Sequence, residues 1–362
     1  MPLAGLETKR LIIVSGKGGV GKTTTSAAIA LELARKGRKT LLVTVDPAKR
    51  LEDSLGVPVG SEATPIQPRL WAMMLDPSAT IAAHFRERMP EAKVADHPLF
   101  KTVTSHLPGI NELMAIGKLN DLRRANAYDA IVVDTAPTGH ALSFLSAPAA
   151  IREVLADKSL VSWAIKGYAV YQKLAGAARK LQGVFQKEKR EAPPDIDFEK
   201  IFEDMDAEAS RIQEFLRDPE HSALVLVALP EKLPVEETCD LHAAVVALGM
   251  TVHAVVVNKV QPPFGANAER LDALAGDAKA AKSFAQKAAS ATGDDAAFLE
   301  ALVAAAEFGR IRRHMNLEWL AVLEARLPDV PKAELPLFRE DVQGLKRLAS
   351  FRAALFESSA PA

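Results

Sequence analysis

Short runs of apolar residues alternate along the chain with longer stretches of helical periodicity. The runs are predicted strands, and they lie at 10–14, 40–45, 70–75, 130–134, 223–229, 252–257 and 333–338. Most of them are apolar on both faces, which is typical of central parallel strands covered by helices on each side. The alternation predicts an α/β fold, a doubly wound and mostly parallel sheet of about seven to eight strands.

Two long regions interrupt this alternation. Residues 77–126 and 148–220 are helical in pattern and contain no run typical of a strand. We interpret them as insertions that form an α-helical subdomain beside the sheet, within a single domain spanning residues 1–362. A further alanine-rich helical stretch covers about 266–327 and is interrupted near 291–295, where Gly and Asp favour a break.

The composition indicates a soluble globular protein. Of the 362 residues, 48% are hydrophobic and 25% are charged, and the formal net charge is -1, so no global positive charge favours nucleic acid. Cys239 is the only cysteine, which excludes an intrachain disulfide and fits a reducing cytoplasm. The first residues lack a signal-peptide pattern, and no apolar stretch reaches the ~18 residues of a spanning helix. We therefore expect a cytoplasmic protein.

A glycine-rich string joins the first predicted strand to the first predicted helix. Residues 15–25 read SGKGGVGKTTT and match the phosphate-binding pattern G-x-x-x-x-G-K-[ST]. Glycines let backbone N–H groups converge on phosphate oxygens at the positive end of a helix, here expected over about 22–36 with Gly37 as its cap. The predicted nucleotide-binding residues are Gly16, Gly18, Gly19, Val20, Gly21, Lys22, Thr23 and Thr24.

Two carboxylates follow predicted strands at the edge where ligands of doubly wound sheets bind. Asp46 follows the second predicted strand and is expected to orient or deprotonate the attacking water. Capping the next helix is an alternative role for Asp46. Asp134 ends the fourth predicted strand and, with the Thr23 hydroxyl and Asp46, is predicted to hold Mg²⁺, the aspartates through water.

A second lysine in the loop goes beyond the generic pattern. The string K-G-G-x-G-K-T resembles the deviant phosphate loop of the MinD, nitrogenase iron-protein and ArsA group. The resemblance implies that Lys17 reaches the nucleotide of a second copy across a dimer interface, while Lys22 serves its own. We therefore predict catalytic roles for Lys17, Lys22 and Asp46. Because the motif set occurs once in the chain, the expected assembly is a homodimer with nucleotide sites at the interface.

Longer strings narrow the resemblance to one family. They are similar to segments of the arsenical pump-driving and tail-anchored-protein targeting ATPases, the ArsA/Get family, and they comprise residues 16–48, LPGINELMAI at 107–116, DTAPTGHALSFL at 134–145, LPEKLPVEET at 229–238 and PLFREDVQGLKRL at 336–348. Asp341 stands where that family has a glutamate. The resemblance implies an ATPase that couples Mg-ATP hydrolysis to opening and closing of a helical surface for a membrane-protein client or partner.

The resemblance also implies the pocket for the base. Asn258 matches the family's adenine-contacting asparagine, and the segments 230–236 and 336–339, with Pro230, Pro336 and Phe338, are expected to complete the pocket. The string Asn258-Lys259-Val260-Gln261 lacks the aspartate with which G proteins bind guanine, and this favours adenine.

The chain departs from the family in its cysteines. Eukaryotic targeting factors share one zinc across the dimer through a C-x-x-C pair, but the corresponding region, around 290–300, contains no cysteine, so we expect no structural zinc. Arsenite-pump ATPases bind trivalent arsenic through several cysteines. Cys239 alone cannot form such a site, and we expect it to be a small buried residue.

Other assignments stay open at this point. The apolar stretch 151–188 is either a client groove or internal packing of the helical subdomain. One alternative function is the energising subunit of an anion pump. Another is a membrane-positioning ATPase of the MinD/ParA kind, with a C-terminal surface helix whose apolar side would carry Leu345, Leu348, Phe351, Leu355 and Phe356.

Overall fold

The computed structural model describes residues 2–46, 50–75, 110–135, 138–157, 198–263, 278–292 and 296–357. The strands in these ranges are β1 (Leu11–Gly16), β2 (Thr40–Thr44), β3 (Thr64–Gln67), β4 (Leu70–Met74), β5 (Ala130–Asp134), β6 (Ser222–Ala228), β7 (Val252–Val260) and β8 (Lys332–Pro336). The α-helices are α1 (Lys22–Arg35), α2 (Arg50–Leu55), α3 (Ile110–Arg124), α4 (Thr138–Ala156), α5 (Phe198–Arg217), α6 (Lys232–Ala247), α7 (Ala278–Thr292), α8 (Ala296–Arg326) and α9 (Gly344–Glu357).

These strands form one sheet in the order β3-β4-β2-β5-β1-β6-β7-β8. Every neighbouring pair is parallel except β3 and β4, which are antiparallel. All seven predicted strands are present, and the predicted α/β fold is confirmed. Strand β3 was not predicted because its sequence, TPIQ, is short and contains proline. It lies at the sheet edge, where proline is tolerated and a strand need not be apolar on both faces.

The sheet is buried on both faces, as the apolar strands require. Side chains of one face, such as Ile13 and Val133, pack against α3, α4, α5, α6 and α8. Side chains of the other face, such as Ile12 and Val132, pack against α1, α2 and α9. The carboxyl ends of the central strands therefore open at one edge, between two covered faces, and the glycine-rich loop lies at that edge.

Only parts of the two predicted helical regions lie within the described residues. Helices α3, α4 and α5 lie within the predicted regions 77–126 and 148–220 or overlap them, and their apolar residues join the core of the sheet face that they cover. Residues 76–109 and 158–197 lie outside the described residues, so the boundaries of a helical subdomain stay a prediction. The same holds for the apolar stretch 151–188, of which Leu155 packs against that core.

The C-terminal helix α9 is packed against the body of the protein. Leu348, Phe351 and Leu355 are buried in the same core as α1, and Arg352 donates a hydrogen bond of 2.9 Å to the buried carboxylate of Glu32. The apolar side predicted for a membrane-surface helix is thus used internally. None of the helices described here combines the length and the apolar character needed to cross a lipid bilayer.

Candidate nucleotide-binding site

The glycine-rich loop connects β1 to α1, as predicted. Gly16 ends β1 with a φ of +154°, and Gly21 precedes α1 with a φ of +100°. A Cβ on Gly16 would lie 2.2 Å from the carbonyl oxygen of Val227, and a Cβ on Gly21 would lie 2.3 Å from Nδ2 of Asn258. A side chain would displace the backbone of β6 at Gly16 and the Asn258 amide at Gly21, and both positive φ values favour glycine.

The two lysines of the loop have different surroundings. Lys22 is buried, with 5% exposure, and its Nζ donates a 2.8 Å hydrogen bond to the carbonyl oxygen of Lys17. The Lys17 side chain points to the surface, where its Nζ lies 2.9 Å from Oε1 of Glu237 on α6, and both side chains are about one third exposed. The loop thus presents one lysine inward and one outward.

Asp134 is the centre of a buried hydroxyl cluster at the end of β5. Its Oδ2 accepts hydrogen bonds from the hydroxyls of Thr23 at 2.8 Å and Thr44 at 3.3 Å. Its Oδ1 accepts one from Ser26 at 3.3 Å. The structure therefore brings together Thr23 and Asp134, two of the three residues that were predicted to hold Mg²⁺.

The electrostatics of Asp134 fit a cation site. Burial raises the pKa of Asp134 to about 6; the hydrogen bond from Thr23 and the charge of Lys22 offset part of that effect, and the negative charge of Asp46 adds to it. A buried carboxylate of this kind is stabilised as an anion when a cation lies next to it. A threonine hydroxyl with a carboxylate acting through water is the arrangement that holds Mg²⁺ in phosphate-loop proteins.

The raised pKa of Asp134 leads to a prediction about stability and pH. Because the folded protein holds this proton more tightly than the unfolded chain does, ionisation of Asp134 lowers the free energy of unfolding as the pH rises from about 4 through 6. A pKa difference of about two units corresponds to about 3 kcal/mol. Without nucleotide, Asp134→Asn should therefore gain stability relative to the wild type between pH 4 and pH 7, by up to about that amount.

Urea unfolding of both proteins at several pH values measures this difference. A stability difference that stays constant across the range would contradict the raised pKa. The same variant should lose ATP hydrolysis, because a neutral amide in place of the carboxylate no longer offers Mg²⁺ a negative charge.

Asp46 follows β2 and is tied to the same cluster through the backbone. Its N–H donates a 3.2 Å hydrogen bond to the Thr44 hydroxyl, which in turn donates to Asp134. The half-buried Asp46 side chain is near enough to Asp134 to raise the pKa of that carboxyl. The two carboxylates that the sequence singled out therefore interact electrostatically at the ends of the adjacent strands β2 and β5.

A cavity of about 550 Å³ extends from the glycine-rich loop towards the C-terminal segment. Among its lining residues are Gly19, Gly21, Lys22, Thr23, Thr24, Asn258 and Phe338, all predicted to bind nucleotide. Leu337 and Lys259 also line it, whereas Pro230 lines a neighbouring cleft between the start of α6 and α8. Pro336 ends β8, next to the lining residue Leu337. Leu337, Phe338 and Asn258 thus share one cavity with the phosphate loop.

Asn258 joins the end of β7 to the phosphate loop. It lies within β7, which continues to Val260, three residues beyond its predicted limit. Its Nδ2 donates a 2.9 Å hydrogen bond to the carbonyl oxygen of Val20, and its Oδ1 accepts one from the N–H of Lys259. The amide nitrogen carries a second hydrogen, which neither of these two bonds uses.

Several residues of the site were not predicted. The hydroxyls of Ser26 and Thr44 donate hydrogen bonds to Asp134, and Glu237 forms an ion pair with Lys17. Ser26 follows Lys22 by one helical turn, and Thr44 precedes Asp46 by two strand positions, so periodicity could have indicated both. Glu237 is distant in sequence, and no local pattern connects it to the loop. Cys239 is buried in α6, as expected.

The topology, the glycine-rich loop and the Thr23–Asp134 pair define a P-loop nucleoside triphosphatase. The profile of the anion-transporting ATPase family matches residues 9–287, and the chain belongs to this ArsA ATPase family. It is an ATP hydrolase, as the sequence predicted.

Similar proteins agree with this assignment. ATPase get3 of Aspergillus terreus is 26% identical over 366 aligned residues, covering 98% of this chain and 93% of the relative. ATPase GET3 of Mycosarcoma maydis is 31% identical over 261 residues, covering 71% of this chain and 74% of the relative. The ATPase ASNA1 homolog of Cryptosporidium parvum is 32% identical over 263 residues, covering 72% and 68%.

Proposed function

We propose that the chain acts as a homodimeric, cytoplasmic ATPase in which Mg-ATP binding and hydrolysis open and close a helical surface for a membrane-protein client. The observation that carries this proposal is that the two loop lysines point in different directions. Lys22 is buried within its own loop, whereas Lys17 is directed to the surface. A loop lysine that faces away from its own phosphate site is suited to the nucleotide of a second copy.

Each side chain has a role that follows from its surroundings. The loop N–H groups and Lys22 bind the phosphates, and Lys22 exchanges its bond with the Lys17 carbonyl for phosphate oxygens. Asp46 orients the attacking water from a strand end that is fixed by Thr44. Thr23 and Asp134 would hold Mg²⁺, which neutralises phosphate charge when it is bound. Asn258 and Phe338 bind adenine in the adjoining cavity.

Lys17 can leave its ion pair with Glu237 at a small cost in free energy. Its ion pair with Glu237 is partly exposed, and pairs of this kind contribute only about 0–1 kcal/mol because water already solvates both charges. A triphosphate in a partner's closed site offers several negative oxygens in a drier environment, where the attraction is stronger. Lys17 therefore can leave Glu237 when two loaded subunits meet.

Targeting of membrane proteins is favoured over the two alternatives. The relatives are named ATPase GET3 or ASNA1 homolog, and the ArsA/Get resemblance links such proteins to tail-anchored clients. An arsenite-responsive pump subunit needs several thiolates, and Cys239 is the only cysteine, held inside α6. A MinD-like surface helix needs a free apolar side, which in α9 is buried.

Capture of a defined client tests the proposal. Asp46→Asn protein loaded with Mg-ATP should retain a purified protein that carries one C-terminal transmembrane helix, and the ADP-loaded wild type should not. The matched control replaces that helix by a charged sequence of equal length. Equal retention of both proteins, or none of either, would contradict the client role. Stimulation of hydrolysis by arsenite would instead favour the pump.

A further inference from the structure

Helix α8 carries a buried polar residue on the side that faces the sheet. Asn316 is 3% exposed, and residues one and two turns further along the same side, such as Leu320 and Leu323, pack into the apolar core. An amide in such a position is costly unless its hydrogen-bonding groups are used. In Asn316 both are used, because its Oδ1 accepts a 2.9 Å hydrogen bond from the Gln261 N–H and its Nδ2 donates one of 3.0 Å to the Pro230 carbonyl.

These two partners belong to two separate loops at the same sheet edge. Pro230 follows β6 and Gln261 follows β7, and the two strands are parallel neighbours. Arg313, one turn before Asn316, donates a 2.9 Å hydrogen bond to the carbonyl oxygen of Gln261. The backbone of Gln261 is therefore held at both its N–H and its carbonyl by α8.

The same junction is hydrogen-bonded to the segment after β8. The N–H of Leu337 donates a 2.8 Å hydrogen bond to the carbonyl oxygen of Val260, next to Gln261. Asn258, three residues before Gln261, and Phe338, which follows Leu337, both line the cavity next to the phosphate loop. Asn316 thus holds the loops after β6 and β7 from the neighbouring cleft that it lines with Pro230, and it does not line the cavity next to the phosphate loop.

We propose that Asn316 is a positioning residue for the base: it fixes the loops after β6 and β7, and through them the segment after β8, at the spacing that adenine requires. The proposal rests on the assignment of this cavity to the adenine of ATP. It assigns Asn316 no contact with phosphates, which are held by the loop around Lys22. Loss of Asn316 should therefore weaken base recognition and leave phosphate binding unchanged.

Titration calorimetry with two ligands separates these effects. Asn316→Ala should weaken Mg-ATP binding roughly tenfold, the effect of one or two net hydrogen bonds, and leave the Kd of Mg-tripolyphosphate, which has no base, unchanged. Asn316→Asp should behave in the same way, because its carboxylate still accepts from Gln261 but faces the Pro230 carbonyl with a second acceptor. The matched control is Leu317→Ala, at an exposed neighbouring position on α8.

Each other result overturns the proposal. If both ligands bind the Asn316 variants more weakly by the same factor, the residue supports only the fold of the site. If the preference for ATP over tripolyphosphate survives in both variants, the loops do not depend on Asn316. If the wild type binds tripolyphosphate as tightly as ATP, the cavity does not bind a base, and the base-pocket assignment fails together with the role of Asn316.

Discussion

Replacing Asp46 by asparagine is expected to lower the kcat for ATP hydrolysis by about 100-fold or more while the Kd for Mg-ATP changes little. The Asp46 backbone is tied to Thr44 and hence to the Asp134 cluster, which holds this residue next to the phosphate loop. Asparagine keeps the shape and loses the basic, charged oxygen that orients the water. Single-turnover hydrolysis and equilibrium binding measure the two effects separately.

Asp329→Asn, at an exposed turn after α8, is the matched control for this change. It should hydrolyse ATP at the wild-type rate. Wild-type turnover by Asp46→Asn would contradict the role assigned to Asp46 and would favour its alternative as a helix cap. A parallel loss of ATP binding would show instead that Asp46 helps to hold the nucleotide.

Two inactive variants are expected to restore activity when they are mixed. Lys17→Ala lacks the outward lysine, and Lys22→Ala lacks the inward one, so each should hydrolyse ATP at least about 100-fold more slowly than the wild type. In a mixed dimer, the Lys22→Ala subunit supplies an intact Lys17 to the subunit that kept Lys22. Equal mixing should recover about a quarter of wild-type activity, since half of the dimers are mixed and one of their two sites is complete.

The mixing experiment distinguishes action within a subunit from action across the dimer. If Lys17 served its own nucleotide, neither subunit of a mixed dimer would be complete and no activity would return. Lys346→Ala, at an exposed position of α9, should be fully active alone. Glu237→Gln removes the resting partner of Lys17, and it should lower the protein concentration at which the rate per subunit reaches its maximum.

Much of the fold and part of the site could be predicted from local sequence. Strands such as β1 and β5 are apolar at nearly every position, and the glycine-rich loop, Asp46 and Asp134 each directly follow or end a predicted strand. Parallel strands align their carboxyl ends, so residues at those ends meet at one edge whatever the strand order. Edge strand β3 was missed because it is short and is not apolar on both faces.

Contacts between distant segments could not be predicted in this way. The Lys17–Glu237 ion pair and the Asn316 bridge between Pro230 and Gln261 join residues without any common periodicity or spacing. A surface lysine and a mid-helix asparagine resemble many others in sequence. Only the packing of α6 and α8 beside the loops gives these residues partners.

The sequence by itself determined the class of this protein and its α/β fold, and it predicted the sheet edge for nucleotide and the residues for phosphate and Mg²⁺, because these depend on short-range patterns and on parallel strand geometry. The tertiary structure decided which lysine faces inward, burial of the apolar side of α9, the raised pKa of Asp134 and the position of Asn316. Each of these depends on desolvation and on contacts between segments far apart in the chain, which no local pattern records.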